Sequence, residues 1–185
     1  MAEPAPGRTV PGRLLVAAEE VDAAFNRLAG ALQPLVDAAP CTLLGVLMGG
    51  LLPLARITGL LRGDFLLDGC RISRYGDATE GGTLEMPWAP RLPMAGRTVI
   101  IIDDIFDQGL TLEYAAAHCR AAGAAQVLTA VLVSKRHARQ LTAFRPDHVG
   151  LEIGDEFVFG AGLDHRQHWR HLAEIRALDA AVPAR

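Results

Sequence analysis

Residues 99–111 read VIIIDDIFDQGLT, and this stretch decides the fold. Val99, Ile100, Ile101 and Ile102 are four consecutive β-branched apolar residues. Such a run suits a strand buried on both faces, at the centre of a parallel sheet. It ends on two carboxylates, Asp103 and Asp104, and a third, Asp107, follows Ile105-Phe106. Gln108-Gly109-Leu110-Thr111 then leads into a helix predicted over about residues 111–122 and closed by Gly123. In open α/β sheets, ligands bind beyond the carboxyl ends of the strands. Gly109 lets the backbone turn and approach a ligand closely. The N–H groups that open a helix form an anion site, to which the Thr111 hydroxyl adds a donor. Three acids beside that cradle would repel a bare polyphosphate. They suit sugar hydroxyls, a divalent cation or a proton to be abstracted. A ligand carrying a ribose, a phosphate and a metal meets all of these demands.

The flanking sequence repeats the alternation of strand and helix. Residues 41–48, CTLLGVLM, predict a buried strand, broken by Gly49-Gly50 before a helix over about 52–61. Residues 65–73 read as a mixed strand, 126–133 as another buried one and 147–151 as a short one. Residues 14–36 carry apolar side chains at mostly helical spacing and predict a helix ended by Pro40. Residues 75–93 hold glycines and prolines with little periodicity, a long loop of the kind that serves as a lid; the alternative is a hairpin through Thr83-Leu84-Glu85-Met86. Residues 165–178 read as a terminal helix or turn, and 1–12, with three of the eleven prolines, as a loose leader. The expected class is α/β, with a doubly wound, mostly parallel sheet.

Composition bounds the possibilities. The chain has 185 residues, 50% of them hydrophobic and 21% charged, enough for one domain with a proper core. The net charge of −3 argues against nucleic acid as a partner. No apolar run is long enough to span a membrane, and the N-terminus lacks the apolar stretch of a signal peptide. Cys41, Cys70 and Cys119 have no CxxC spacing, which excludes a disulfide framework and fits a reducing cytoplasm. His165, His168 and His171 recur every third residue beside Arg166, Trp169 and Arg170; a solvated helix face is the expectation, not a zinc site.

The 99–111 segment resembles the phosphoribosyl-diphosphate (PRPP) signature of type I phosphoribosyltransferases, and most closely that of the hypoxanthine–guanine group. Leu47-Met48-Gly49-Gly50 resembles the family's pyrophosphate loop, and Arg74-Tyr75-Gly76 with Thr79-Glu80-Gly81-Gly82 the start of its mobile loop. The strand ending in Lys135 resembles the one that carries the purine-reading lysine, and residues 146–164 resemble the C-terminal hood. The likeness runs from about residue 41 to 170. It implies a core over about 41–151, a small hood from about 13–40 and 152–185, and a homodimer or homotetramer.

The resemblance also implies roles. Asp103 and Asp104 would hold the ribose hydroxyls, and Asp107 would exchange a proton with purine N7. Residues Asp107, Gln108, Gly109, Leu110 and Thr111 would bind the 5′-phosphate. Met48, Gly49, Arg74, Tyr75 and Arg170 would meet pyrophosphate, with a cis peptide between Leu47 and Met48. Lys135 would donate to the oxygen at purine C6, Phe157 would stack on the base, and the Val158 backbone would read its edge. Magnesium (Mg2+) would be held by Asp164 with Asp103 and Asp104. Backbone acceptors near Val158 and Asp164 would favour the 2-amino group of guanine over the 2-oxo group of xanthine. The implied reaction is purine salvage: PRPP and a 6-oxopurine base give IMP or GMP and pyrophosphate.

Four residues depart from the family pattern. Gln108 stands where threonine is commoner, Met48 replaces a polar residue, Asp103 replaces a longer glutamate, and Arg74 replaces a serine. Lys135 is the single lysine beside 17 arginines, which points to a fitted contact that a compact ammonium makes and a guanidinium does not. Two rival readings keep the fold: a xanthine-preferring enzyme, and a non-catalytic regulator that senses nucleotide.

Overall fold

The computed structural model describes residues 9–75 and 83–178. Six strands form the main sheet. They are β2 (Cys41–Leu47), β3 (Phe65–Tyr75), β4 (Thr83–Trp88), β5 (Thr98–Phe106), β6 (Gln126–Lys135) and β7 (His148–Ile153), in the order β4-β3-β2-β5-β6-β7. All neighbouring pairs are parallel except β3 with β4. β5 lies between β2 and β6, as its apolar run predicts.

Three helices cover the sheet: α1 (Ala18–Ala38), α2 (Leu51–Thr58) and α3 (Leu110–Ala121). Alternation along β5 divides its side chains between two cores. Ile100 and Ile102 join Leu28 and Leu32 of α1 and Ile57 of α2. Val99 and Ile101 face Leu112, Ala115 and Cys119 of α3 on the other side. The sheet is thus doubly wound, and all four of these β5 side chains are fully buried. Truncating one of them to alanine removes a core side chain worth about 2–5 kcal/mol.

Strand order changes direction at β2. The chain passes from β2 to β3 on one side, then crosses to β5 on the other and continues to β6 and β7. The loops after β2 and β5 therefore open a crevice at the topological switch point, where α/β sheets bind ligands.

The first expected helix begins later than its apolar spacing suggests. Residues Arg13–Val16 form β1, which pairs with β9 (Ile175–Ala177); β9 in turn pairs with β8 (Val158–Phe159). These three strands make the hood. α1 packs on β7 of the main sheet through Ala24 and Leu28, in one core with Val158, Ile175 and Ala177 of these strands.

Residues 165–178 form no helix. Arg166, Gln167 and Trp169 have φ of 52°, 65° and 70°, and His165 and His168 exchange backbone hydrogen bonds in a tight turn. The expected solvated helix face is therefore absent, and His165 is buried against Phe157 and Phe159.

The hairpin alternative for the long loop is the one realised, at least from Thr83 onward. β4 pairs antiparallel with β3 and tolerates Pro87 because it is an edge strand. Residues 76–82 of the expected loop, including Gly76, Thr79, Glu80, Gly81 and Gly82, lie outside the described residues. So do most of the leader and the side chains of Arg74 and Tyr75. Among the described residues no helix is long and apolar enough to cross a membrane.

Candidate active site

The carboxyl end of β5 carries the acids into a cleft of about 440 Å³ lined by residues 103–112. Asp103 and Asp104 are 7% and 9% exposed. The Asp104 N–H donates to Asp103 Oδ1 at 2.9 Å. Burial pushes both carboxyls upward, and the neighbouring Asp104 charge pushes Asp103 further. Arg170 opposes the shift at Asp104, with Nη1 3.8 Å from Asp104 Oδ2. The free site therefore holds a poorly compensated pair of acids, ready for hydroxyl donors or a cation.

Gly49 makes room for this pair. A Cβ on Gly49 would lie 2.1 Å from Asp104 Oδ2 and 2.3 Å from its Cγ. The loop after β2 can thus press its backbone against the acids, and the Leu47–Met48 peptide beside it is cis. Gly49→Ala would displace the carboxylate or the loop. Overpacking of this kind costs about 1–3 kcal/mol. We expect the melting temperature to fall by roughly 2–4 °C per kcal/mol. An unchanged melting temperature by calorimetry would show that the close approach is not needed for this packing.

Arg170 ties the hood to the acids. Its Nη2 donates to Asp164 Oδ1 at 2.7 Å and its Nη1 to the Gly162 carbonyl at 2.7 Å. The other Asp164 oxygen accepts the Gln167 N–H at 2.8 Å. Arg170 thus bridges Asp104 and Asp164, and Gly49 packs against Asp104. Among the described residues no three His, Cys, Asp or Glu side chains form a ready-made metal cage. Magnesium commonly binds through one or two carboxylates and takes its remaining ligands from water and substrate phosphates. Asp104 and Asp164, which share Arg170, would supply two such carboxylates.

Burial of Asp103 makes stability depend on pH. Its folded pKa is raised above the ordinary 3.8, so the folded chain retains a proton that the unfolded chain releases. The sign follows: stability falls as pH rises from about the ordinary carboxyl value through the raised one. Asp103→Asn keeps the acceptor for the Asp104 N–H and removes the charge. The ligand-free variant should melt above wild type at neutral pH, by roughly 2–4 °C per kcal/mol relieved, with the gap closing in acid. A gap that does not vary with pH would show that the charge is not its source.

A glycine-turned loop follows β5. Gly109 has φ +90° and caps the start of α3, and a Cβ there would lie 2.5 Å from Thr142 Cγ2. The opening N–H groups of α3 lie beside residues Leu110 and Thr111 of the cleft lining and offer donors to an anion. The Gln108 carbonyl accepts the Leu141 N–H at 3.0 Å, which ties this loop to the segment after β6.

Lys135 ends β6 and is 8% exposed. Its Nζ lies 3.6 Å from Asp107 Oδ2, so the single lysine and the expected acid/base face one another. Asp107 Oδ1 also lies 2.5 Å from His137 Nε2. No motif in the sequence singles out His137. Its signal was faint: it stands two residues beyond Lys135, so strand alternation carried past β6 puts both on one side.

Phe157 packs edge-on against His165, with centroids 5.7 Å apart, and Val158 is buried in β8. Both belong to the hood and not to the cluster around Asp104. The Met48 side chain is half-exposed in an apolar hollow of about 470 Å³ with Leu51, Leu52 and Trp169, which Arg170 also lines. The three cysteines are buried and free, and burial pushes Cys70 and Cys119 up to about 12 and about 11, as for inert core thiols.

Comparison with known proteins agrees with this geometry. The family described as phosphoribosyl transferase domain matches residues 17–168. The hypoxanthine-guanine phosphoribosyltransferase of Bacillus subtilis is 31% identical over 172 residues, 92% of this chain and 94% of that protein. A hypoxanthine phosphoribosyltransferase structure from Staphylococcus aureus superposes with a TM-score of 0.84 at 24% identity, covering 90% of this chain and 91% of that one. One from Trypanosoma cruzi, in a ternary substrates complex, gives 0.83 at 26%, covering 91% and 95%. A doubly wound sheet with paired acids and a glycine-turned anion loop at its switch point, matched along most of its length, makes this chain a member of the type I phosphoribosyltransferases, alongside their hypoxanthine–guanine branch.

Proposed function

We propose that the chain salvages purines, transferring the phosphoribosyl group of PRPP to N9 of hypoxanthine or guanine to give IMP or GMP and pyrophosphate. The observation that carries the choice of base is Lys135, a buried donor-only cation 3.6 Å from Asp107, which lines the cleft. A 6-oxopurine offers what this pair needs: an acceptor at C6 for the ammonium and a proton at N7 for the carboxylate.

PRPP would lie across the crevice. Its 5′-phosphate would meet the N–H groups that open α3, its ribose hydroxyls the Asp103–Asp104 pair, and its diphosphate the backbone at Met48 and Gly49 with Arg170. Asp164, with Asp103 and Asp104, would hold Mg2+, which supplies charge neutralisation for the departing diphosphate. The bond from C1′ to the diphosphate oxygen breaks and its electron pair leaves with pyrophosphate. The N9 lone pair forms the new bond to C1′, and the N7 proton passes to the Asp107 carboxylate. Positioning of the two reactants supplies most of the acceleration.

The test is an absorbance assay with PRPP, magnesium and each purine base. Consumption of hypoxanthine and guanine is expected. No consumption of any base would remove the function.

A further inference from the structure

The proton exchange between Asp107 and the base places a demand on a carboxylate that is 36% exposed at the cleft. A half-exposed aspartate is free to rotate, and a catalytic group must be held within about 0.5 Å of its productive position. Something on this chain has to hold it.

His137 meets that need. Its side chain is 4% exposed, and its Nε2 lies 2.5 Å from Asp107 Oδ1. Its other nitrogen, Nδ1, accepts the backbone N–H of Arg139 at 3.0 Å. That contact fixes the tautomer: Nδ1 carries no proton, so the proton is on Nε2 and is donated to Asp107. The segment that carries the ring is itself fastened. Arg136 N–H donates to the Ile153 carbonyl at 2.9 Å, Arg139 pairs with Asp155, and Leu141 N–H reaches Gln108.

Resting on the function proposed above, we infer that His137 is the positioning residue of this site: a neutral imidazole that pins Asp107 Oδ1 and so keeps Oδ2 and Lys135 available to the base. The distances carry the argument. With Oδ1 anchored, Lys135 Nζ stands 3.6 Å from Oδ2, beyond a hydrogen bond. Released from His137, the carboxylate would swing onto the ammonium in a charge-assisted bond. One movement would then occupy both the proton acceptor and the donor for C6. An imidazole N–H prevents this without adding a full positive charge that would weaken Asp107 as a base.

The inference separates base from PRPP. His137→Ala should lower kcat/KM for hypoxanthine by ~10- to 100-fold, the range for losing a hydrogen bond to a charged group. The KM for PRPP should stay within about twofold, because the ribose and phosphate contacts are elsewhere. His137→Gln places an amide donor near the Nε2 position and should restore part of the rate. His137→Asn places it near Nδ1 and should not. In an Asp107→Asn background, His137→Ala should have almost no further effect, as coupled residues require. Equal losses for base and PRPP, equal rescue by Asn and Gln, or full additivity would overturn the inference. Nitrogen-15 spectra of the imidazole provide a readout that needs no turnover, and the Nε2–H tautomer is expected. A ring protonated on Nδ1 alone would refute the link to Asp107. If wild type transfers nothing to any base, the proposed function falls, and the spectra still decide whether His137 holds Asp107.

Discussion

Given PRPP and magnesium, the protein should use hypoxanthine and guanine efficiently and adenine ~10⁴-fold less well. Lys135 presents three donors and no acceptor. A carbonyl at purine C6 satisfies it, whereas the amino group of adenine sets a donor against a buried ammonium. Both groups would lose water without gaining a partner, and a buried unsatisfied charge is the more costly. Sites built on such a hydrogen bond discriminate far more sharply than apolar shape alone. The lysine is only 8% exposed, so solvent cannot rescue the mismatch. Lys135→Ala should cut the 6-oxopurine reaction sharply and leave PRPP affinity mostly intact. Steady-state kinetics with each base provide the measurement. Adenine as the best substrate would end the lysine assignment, although a phosphoribosyltransferase would remain.

Asp107→Asn should lower turnover by ~10²-fold or more, the usual range for losing a general acid–base group. The substitution is nearly isosteric. An asparagine oxygen can still accept the His137 N–H, so the loop need not move. What disappears is the capacity to take a proton from N7. PRPP binding should survive, because in the proposed mode the phosphate would meet backbone N–H groups and the ribose would meet Asp103 and Asp104. Single-turnover kinetics beside a PRPP titration separate the two effects. Near-wild-type turnover would remove Asp107 from the chemistry.

The centre of the fold and the heart of the site were legible because their causes are local. Four β-branched apolar residues can be buried on both faces only at the middle of a sheet, and Ile100 to Ile102 are there. Acids immediately after such a strand must emerge at its carboxyl end, and Gly109 must turn the chain, because its φ of +90° suits no other residue. Lys135 was legible from usage, as one lysine among arginines. These features need only a few adjacent residues to be understood.

The rest depended on partners far away in sequence. Leu14 to Val16 carry the spacing of a helix start, yet they form a strand because Ile175–Ala177 supply its hydrogen bonds. The every-third-residue histidines suggested a helix face. Tight turns with positive φ won instead, held by the Asp164 carboxylate and the edge-on ring contacts around His165. The link from His137 to Asp107 spans 30 residues, and the one from Arg170 to Asp104 joins the hood to the central strand. Side-chain contacts of this kind leave no periodicity in the chain. By itself the sequence determined the central strand, the acids at its end and the glycine turn after them; only the tertiary structure decided which groups hold those side chains in place, because a hydrogen bond between distant segments exists only once the sheet has brought their ends together.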